Sequence, residues 1–292
     1  MSIYNELKMK VFYSGNRINL FIGINVIIFL TFIVFKVFEY LFTKQTLYSD
    51  LANDYLAVPS NLKLLLYKPW TLFTYMFIHA DFFHILFNML WLYWIGKILE
   101  EYLNGKKITF LYIAGGLVGA IFYITCYNLF PAFAERAVTS TAVGASGAVT
   151  AIIVATATLL PNHTISLLLL GPVRLVWIAI FYFIVDFVSL LGPNAGGSLA
   201  HIGGAIFGFL FIKSLQKGND WSNPFEEFFK PKPTLKVVST NYNAPQKAHK
   251  TNIPDQDEID KILDKISQTG YNNLTKKEKE ILFNASKSNE EK

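Results

Sequence analysis

Seven polar residues stand inside or beside long apolar runs: His79, Asp81, His84, Asn88, Ser146, Asp186 and His201. Ionisable groups in such surroundings are costly, so each calls for a partner or a function. A serine hydroxyl becomes a nucleophile only beside a base, and an imidazole is suited to that task near neutral pH. Ser146 and His201 supply these two types. His84 and Asn88 are spaced i, i+4 and so share a helical face, and both can donate hydrogen bonds to a developing oxyanion.

Ser146 lies in the string Gly144-Ala145-Ser146-Gly147-Ala148. The flanking glycines permit unusual backbone angles and leave the hydroxyl uncrowded. A serine at a helix N-terminus also has free backbone N–H groups beside it. The same string reads equally as a small-residue packing motif between membrane helices. His201 heads the run Ala200-His201-Ile202-Gly203-Gly204-Ala205-Ile206-Phe207-Gly208. Gly204 and Gly208, at i+3 and i+7, lie on its face and admit a second helix closely. If that helix carries Ser146, the imidazole comes within reach of the hydroxyl; otherwise His201 is a structural residue bonded to a carbonyl. A metal site is not indicated, because His79 and His84 are five residues apart and no HExxH pattern occurs. The single cysteine, Cys126, lies in an apolar run and reads as a packing residue.

The elements that must position these residues are transmembrane helices. Of 292 residues, 52% are hydrophobic and 16% charged, and the mean hydropathy is +0.35. Ordinary soluble domains carry about a quarter charged residues. Residues 1–217 hold 14 Lys and Arg against 9 Asp and Glu, whereas residues 218–292 hold 12 of each. The net charge of +5 therefore belongs to the apolar part. No basic block stands out, so the excess reads as the lysine bias of a membrane protein's cytoplasmic side and not as a nucleic-acid surface. A span needs about 20 apolar residues, and candidates occur at 18–42, 82–99, 108–129, 145–160, 172–191 and 199–216. The fold class is therefore all-α: a polytopic, six-helix membrane bundle.

Lys8, Lys10, Arg17, Lys97, Lys106, Lys107, Arg174, Lys213 and Lys217 cluster at one set of span ends, which predicts that both termini are cytoplasmic. Spans 2, 4 and 6 then run outside to inside, and His84, Asn88, Ser146 and His201 fall at similar depth near the outer face. The aromatic connection between spans 1 and 2 reads as partly helical and interfacial. Three regions are predicted: a membrane domain at 1–217, a proline-rich linker at 218–254, and a small helical hairpin at 255–292. In the last, Ile259, Ile262, Leu263 and Ile266 form one helical face, Gly270 is a stop, and Thr275-Lys276-Lys277-Glu278 is a capping box. Such a hairpin suits a protein partner.

These residues resemble the rhomboid intramembrane serine proteases. The resemblance rests on His79-x4-His84-x3-Asn88 in span 2, Gly144-Ala145-Ser146-Gly147 in span 4 and Ala200-His201-x2-Gly204-x3-Gly208 in span 6, and covers roughly residues 15–216. It implies a nucleophile at Ser146 and a general base at His201, acting as a dyad. It implies an oxyanion hole from His84, Asn88 and the Ser146 N–H, with Gly144, Gly204 and Gly208 shaping the site and Glu100 as a structural glutamate. Family members cleave transmembrane segments of other proteins near the extracytoplasmic face, without metal, ATP or nucleotide. They favour a small residue before the cut and a helix that unwinds easily. The implied location is the cell membrane.

Two positions depart from the family pattern. Trp70-Thr71 stands where Trp-Arg is frequent, and Thr150 stands where many bacterial members place a tyrosine beneath the histidine. The second departure leaves the orientation of His201 to other contacts. A rival reading is an inactive rhomboid-like protein that binds transmembrane helices, but such proteins usually lose the serine or the histidine. A transporter would suit six spans and Asp186, but the chain lacks evident internal repeats.

Overall fold

The computed structural model describes residues 2–167, 171–228 and 256–290. The chain divides into two units, Met1–Pro231 and Lys232–Lys292.

The first unit contains six apolar helices where the hydropathy pattern predicts them: α1 (Arg17–Thr43), α2 (Phe82–Glu100), α3 (Gly105–Leu129), α4 (Ser146–Leu159), α5 (Leu175–Ser189) and α6 (Ala195–Gln216). Four are long and apolar enough to cross a membrane; α4 and α5 are shorter. The starts of α1, α2 and α3 are set by side-chain caps. Asn16, Asp81 and Asn104 accept from the backbone N–H groups of Asn19, His84 and Lys107 at 2.8, 2.9 and 2.9 Å.

Helix α4 is the centre of this unit, with ten of its fourteen residues buried. Helix α6 packs against it backbone to backbone. A Cβ on Gly204 would run into the Gly147 carbonyl, and one on Gly208 into the Ala151 carbonyl. Small residues at such crossings bring main chains together where lipid supplies no hydrophobic drive. Helix α3 packs against both α4 and α6, and a Cβ on Gly119 would stand 2.6 Å from the Ala200 carbonyl oxygen. Helices α1 and α5 are peripheral; in α5 only Leu175, Ile178 and Asp186 are buried.

The connections add detail that the apolar pattern does not predict. Helix α6 begins at Ala195 instead of 199, which puts His201 in its second turn. Helices α4 and α5 are joined by an antiparallel pair, Thr164–Leu167 with Gly171–Arg174, so the fifth helix starts at Leu175 instead of 172. The connection from α1 to α2 is partly helical as predicted, with short helices at Leu47–Leu56, Leu62–Tyr67 and Thr71–Thr74. Within it, strand β1 (Val58–Pro59) pairs antiparallel with β2 (Thr141–Ala142), just before the serine. Glu100 acts as a cap between helices: its Oε1 accepts from the Arg17 N–H at 2.7 Å, and its Oε2 meets Lys97 at 3.3 Å.

The membrane unit continues past residue 217, where the linker was expected to begin. Lys107 pairs with Asp220 at 2.6 Å. Trp221 lies against Phe207 and Phe211, and Phe225 lies against Phe110. Apolar rings and an ion pair outweigh the turn-forming composition here. Residues 229–254 of the expected linker, and residue 255 of the expected hairpin, lie outside the described residues.

In the second unit, α7 (Gln256–Thr269) and α8 (Lys276–Glu290) pair. Ile262 and Leu274 are buried, and Lys265 meets Glu278 at 2.8 Å. The Thr275–Glu278 capping box forms, with the Thr275 N–H donating to Glu278 Oε2 at 2.7 Å. Gly270, with φ 83°, ends the first helix.

Candidate active site

The turn before Ser146 is held by the α1–α2 connection. β1 pairs with β2, and the Ser60 N–H donates to the Ser140 carbonyl at 3.0 Å. The Gly144 N–H donates to the Tyr75 carbonyl at 2.9 Å, and the Tyr75 hydroxyl donates to the Gly116 carbonyl at 2.6 Å. Gly144 has φ +127°, a conformation that side chains oppose. Its Cβ position is bordered by His84 Nε2 at 2.7 Å and by Ser146 Oγ at 3.4 Å. The glycine thus serves both the turn and the approach of the imidazole.

Ser146 is the first residue of α4, so its N–H and those of Gly147 and Ala148 have no carbonyl within the helix to bond. Ser146, His201, His84 and Asn88 line one cavity of about 700 Å³, together with Tyr182 and Trp91. Ser146, His84 and His201 are half-buried, and Asn88 is buried. Among the described residues no hydrogen bond joins Ser146 to His201. Such contacts are often loose before substrate binds. One amide proton of Asn88 goes to the His84 carbonyl at 2.9 Å, which leaves the other available.

Other polar residues singled out from sequence have defined places. Asp81 is the cap of α2. His79 is buried, its ring 5.1 Å from that of His84, and neither of its nitrogens has a partner among the described residues. Burial, and then the neighbouring His84 imidazole, holds His79 far below the usual histidine value, at about 3. Trp70 donates its indole N–H to the Tyr55 carbonyl at 2.9 Å, and the Thr71 hydroxyl donates to the Lys68 carbonyl at 2.6 Å. The first connection is thereby anchored without an arginine. Cys126 is free and buried in α3. Among the described residues no three His, Cys, Asp or Glu side chains are grouped to hold a metal ion.

Residues 67–217 match the profile of the Rhomboid domain family. The chain belongs to the rhomboid family. Among its rhomboid relatives, RHOMBOID-like protein 12, mitochondrial, of Arabidopsis thaliana is 32% identical over 158 residues, which are 51% of this chain and 47% of that protein. The rhomboid protease GlpG of Yersinia pseudotuberculosis is 29% identical over 160 residues, 54% of this chain and 51% of that one. Rhomboid protein 1, mitochondrial, of Saccharomyces cerevisiae is 27% identical over 144 residues, 46% of this chain and 38% of that one. The chain thus spans about half or less of each relative's length. Residues 241–288 match a family of unknown function, DUF6576.

Two residues beside the rhomboid cavity have places that motif spacing does not give. Asp186 Oδ1 lies 2.7 Å from His201 Nδ1. The Tyr182 ring, one turn earlier on α5, is 6.0 Å from the imidazole. Thr150 is buried within α4, so the aromatic neighbour of the histidine comes from a different helix than in many bacterial rhomboids. An aspartate in an otherwise apolar span is the sequence signal for Asp186. Nothing in the spacing shows that its partner is fifteen residues away.

Proposed function

We propose that this multi-pass rhomboid is an intramembrane serine endopeptidase acting on transmembrane segments of other proteins. The observation that carries the reading is the meeting of Ser146, His201, His84 and Asn88, from three helices, at one cavity behind a glycine-shaped turn. Ser146 Oγ attacks the scissile carbonyl while His201 Nε2 takes its proton. The oxyanion receives hydrogen bonds from His84, Asn88 and the Ser146 N–H. His201 then passes the proton to the leaving amine, and water, activated by the same imidazole, hydrolyses the acyl-enzyme. The apolar flanks of the unit fit a substrate that arrives through lipid. Lysine placement favours cytoplasmic termini and an extracytoplasmic site.

The test is cleavage of a generic transmembrane substrate by the full chain in detergent, with Ser146→Ala beside it. A fluorophosphonate probe is applied to both proteins. Cleavage and labelling by the wild type alone is the expected result. Equal labelling of both would remove Ser146 as the nucleophile. Helix binding with neither cleavage nor labelling would favour an inactive binder.

A further inference from the structure

Asp186 is the only charged residue of helix α5, and it is buried. The two side chains of the Asp186–His201 pair are 10% and 15% exposed. A carboxylate so placed is costly unless it is paired. Its partner atom is Nδ1 of the imidazole that borders the serine's cavity. A carboxylate can only accept, so Nδ1 must carry the proton. The other nitrogen, Nε2, is then bare and able to receive the Ser146 proton. When the imidazolium forms, the carboxylate is already beside it and stabilises the charge.

We propose that Asp186 is a positioning residue for His201, which extends the Ser146–His201 pair to a three-residue constellation supplied by α4, α6 and α5. Tyr182, one turn earlier on α5, places its ring 6.0 Å from the imidazole. Together they replace the aromatic support absent at Thr150. The step adds no reactant: the serine proton moves to Nε2 and later to the leaving amine, and the Nδ1 proton stays in place. The inference rests on the proposed protease reading, but it makes a claim about the imidazole that does not depend on turnover.

The experiment uses the full chain, labelled with ¹⁵N-histidine, in detergent micelles. His201 signals are assigned by their loss in His201→Ala. Wild type is expected to show His201 protonated at Nδ1 and bare at Nε2. Asp186→Asn is expected to move the proton to Nε2 and to lower kcat by on the order of 10²–10⁴, with KM and Tm little changed. Asp186→Glu should restore part of kcat. An Nε2-protonated His201 in the wild type would overturn the proposal, as would an unchanged tautomer in Asp186→Asn. So would Asp186→Leu matching wild type in kcat, since the contact would then be only packing. If the wild type neither cleaves nor labels, the protease reading falls, and the tautomer measurement still decides the role of Asp186.

Discussion

Nε2 of His84 stands 2.7 Å from the point that a methyl group on Gly144 would occupy. Packing and backbone both forbid a side chain there, because φ is +127°. Gly144→Ala must either rotate the turn or push the imidazole out of the cavity. Cleavage should fall by on the order of 10²-fold or more, comparable to removing one oxyanion donor. Helicity should remain near wild type. Turnover of a transmembrane substrate, with circular dichroism in parallel, checks this.

Asn88 donates one amide proton to the His84 carbonyl, and the proposed reading gives the other to a substrate oxyanion. Asn88→Ala should slow cleavage by about 10²–10³-fold, chiefly through kcat. Steady-state kinetics separates this from substrate binding. A change confined to KM would assign Asn88 to recognition.

His79 gives the membrane unit an acid sensitivity. Its folded value, about 3, lies below the ordinary 6.5. Between these limits the unfolded chain binds a proton that the folded chain refuses, so stability falls as pH drops from about 6.5 toward 3 and is unaffected by this group above 6.5. Thermal unfolding in detergent should show a declining Tm over this range. His79→Phe should flatten the decline; an equal slope in the variant would place its origin elsewhere.

Truncation separates the two units. Ending the chain after residue 231 should keep cleavage of a detergent-solubilised substrate within a few-fold. Ending it after residue 217 removes Asp220, the partner of Lys107, and Trp221, which packs on Phe207 and Phe211. That version should melt at a lower temperature, as differential scanning fluorimetry would show.

The helices of the membrane unit were legible because lipid imposes a simple rule: long apolar runs must be helical. The glycine face of Gly204 and Gly208 was equally legible, and it does lie against the helix that carries Ser146. The strand pair between residues 58–59 and 141–142 was not, because two residues make no pattern and their pairing crosses the chain. Asp186 was visible as an isolated charge, and Glu100 only through the family resemblance. Their partners, the Arg17 N–H and the His201 ring, depend on helix packing that periodicity does not encode. Residues 218–228 read as linker because their proline, glycine and asparagine content hides three aromatic contacts and one ion pair.

The brevity of α4 has a consequence for hydration. Fourteen residues rise about 21 Å, against a hydrocarbon layer of about 30 Å. A helix this short cannot reach both headgroup levels, and on the proposed reading the end that falls short is the one carrying Ser146, at the cavity of about 700 Å³. At about 30 Å³ per molecule, a cavity of this size has room for on the order of twenty waters. A transmembrane segment that loses its helix exposes N–H and C=O groups that hydrocarbon cannot satisfy. On the protease reading proposed above, the same small pool of water would solvate the unwound peptide and supply the hydroxide equivalent that releases it.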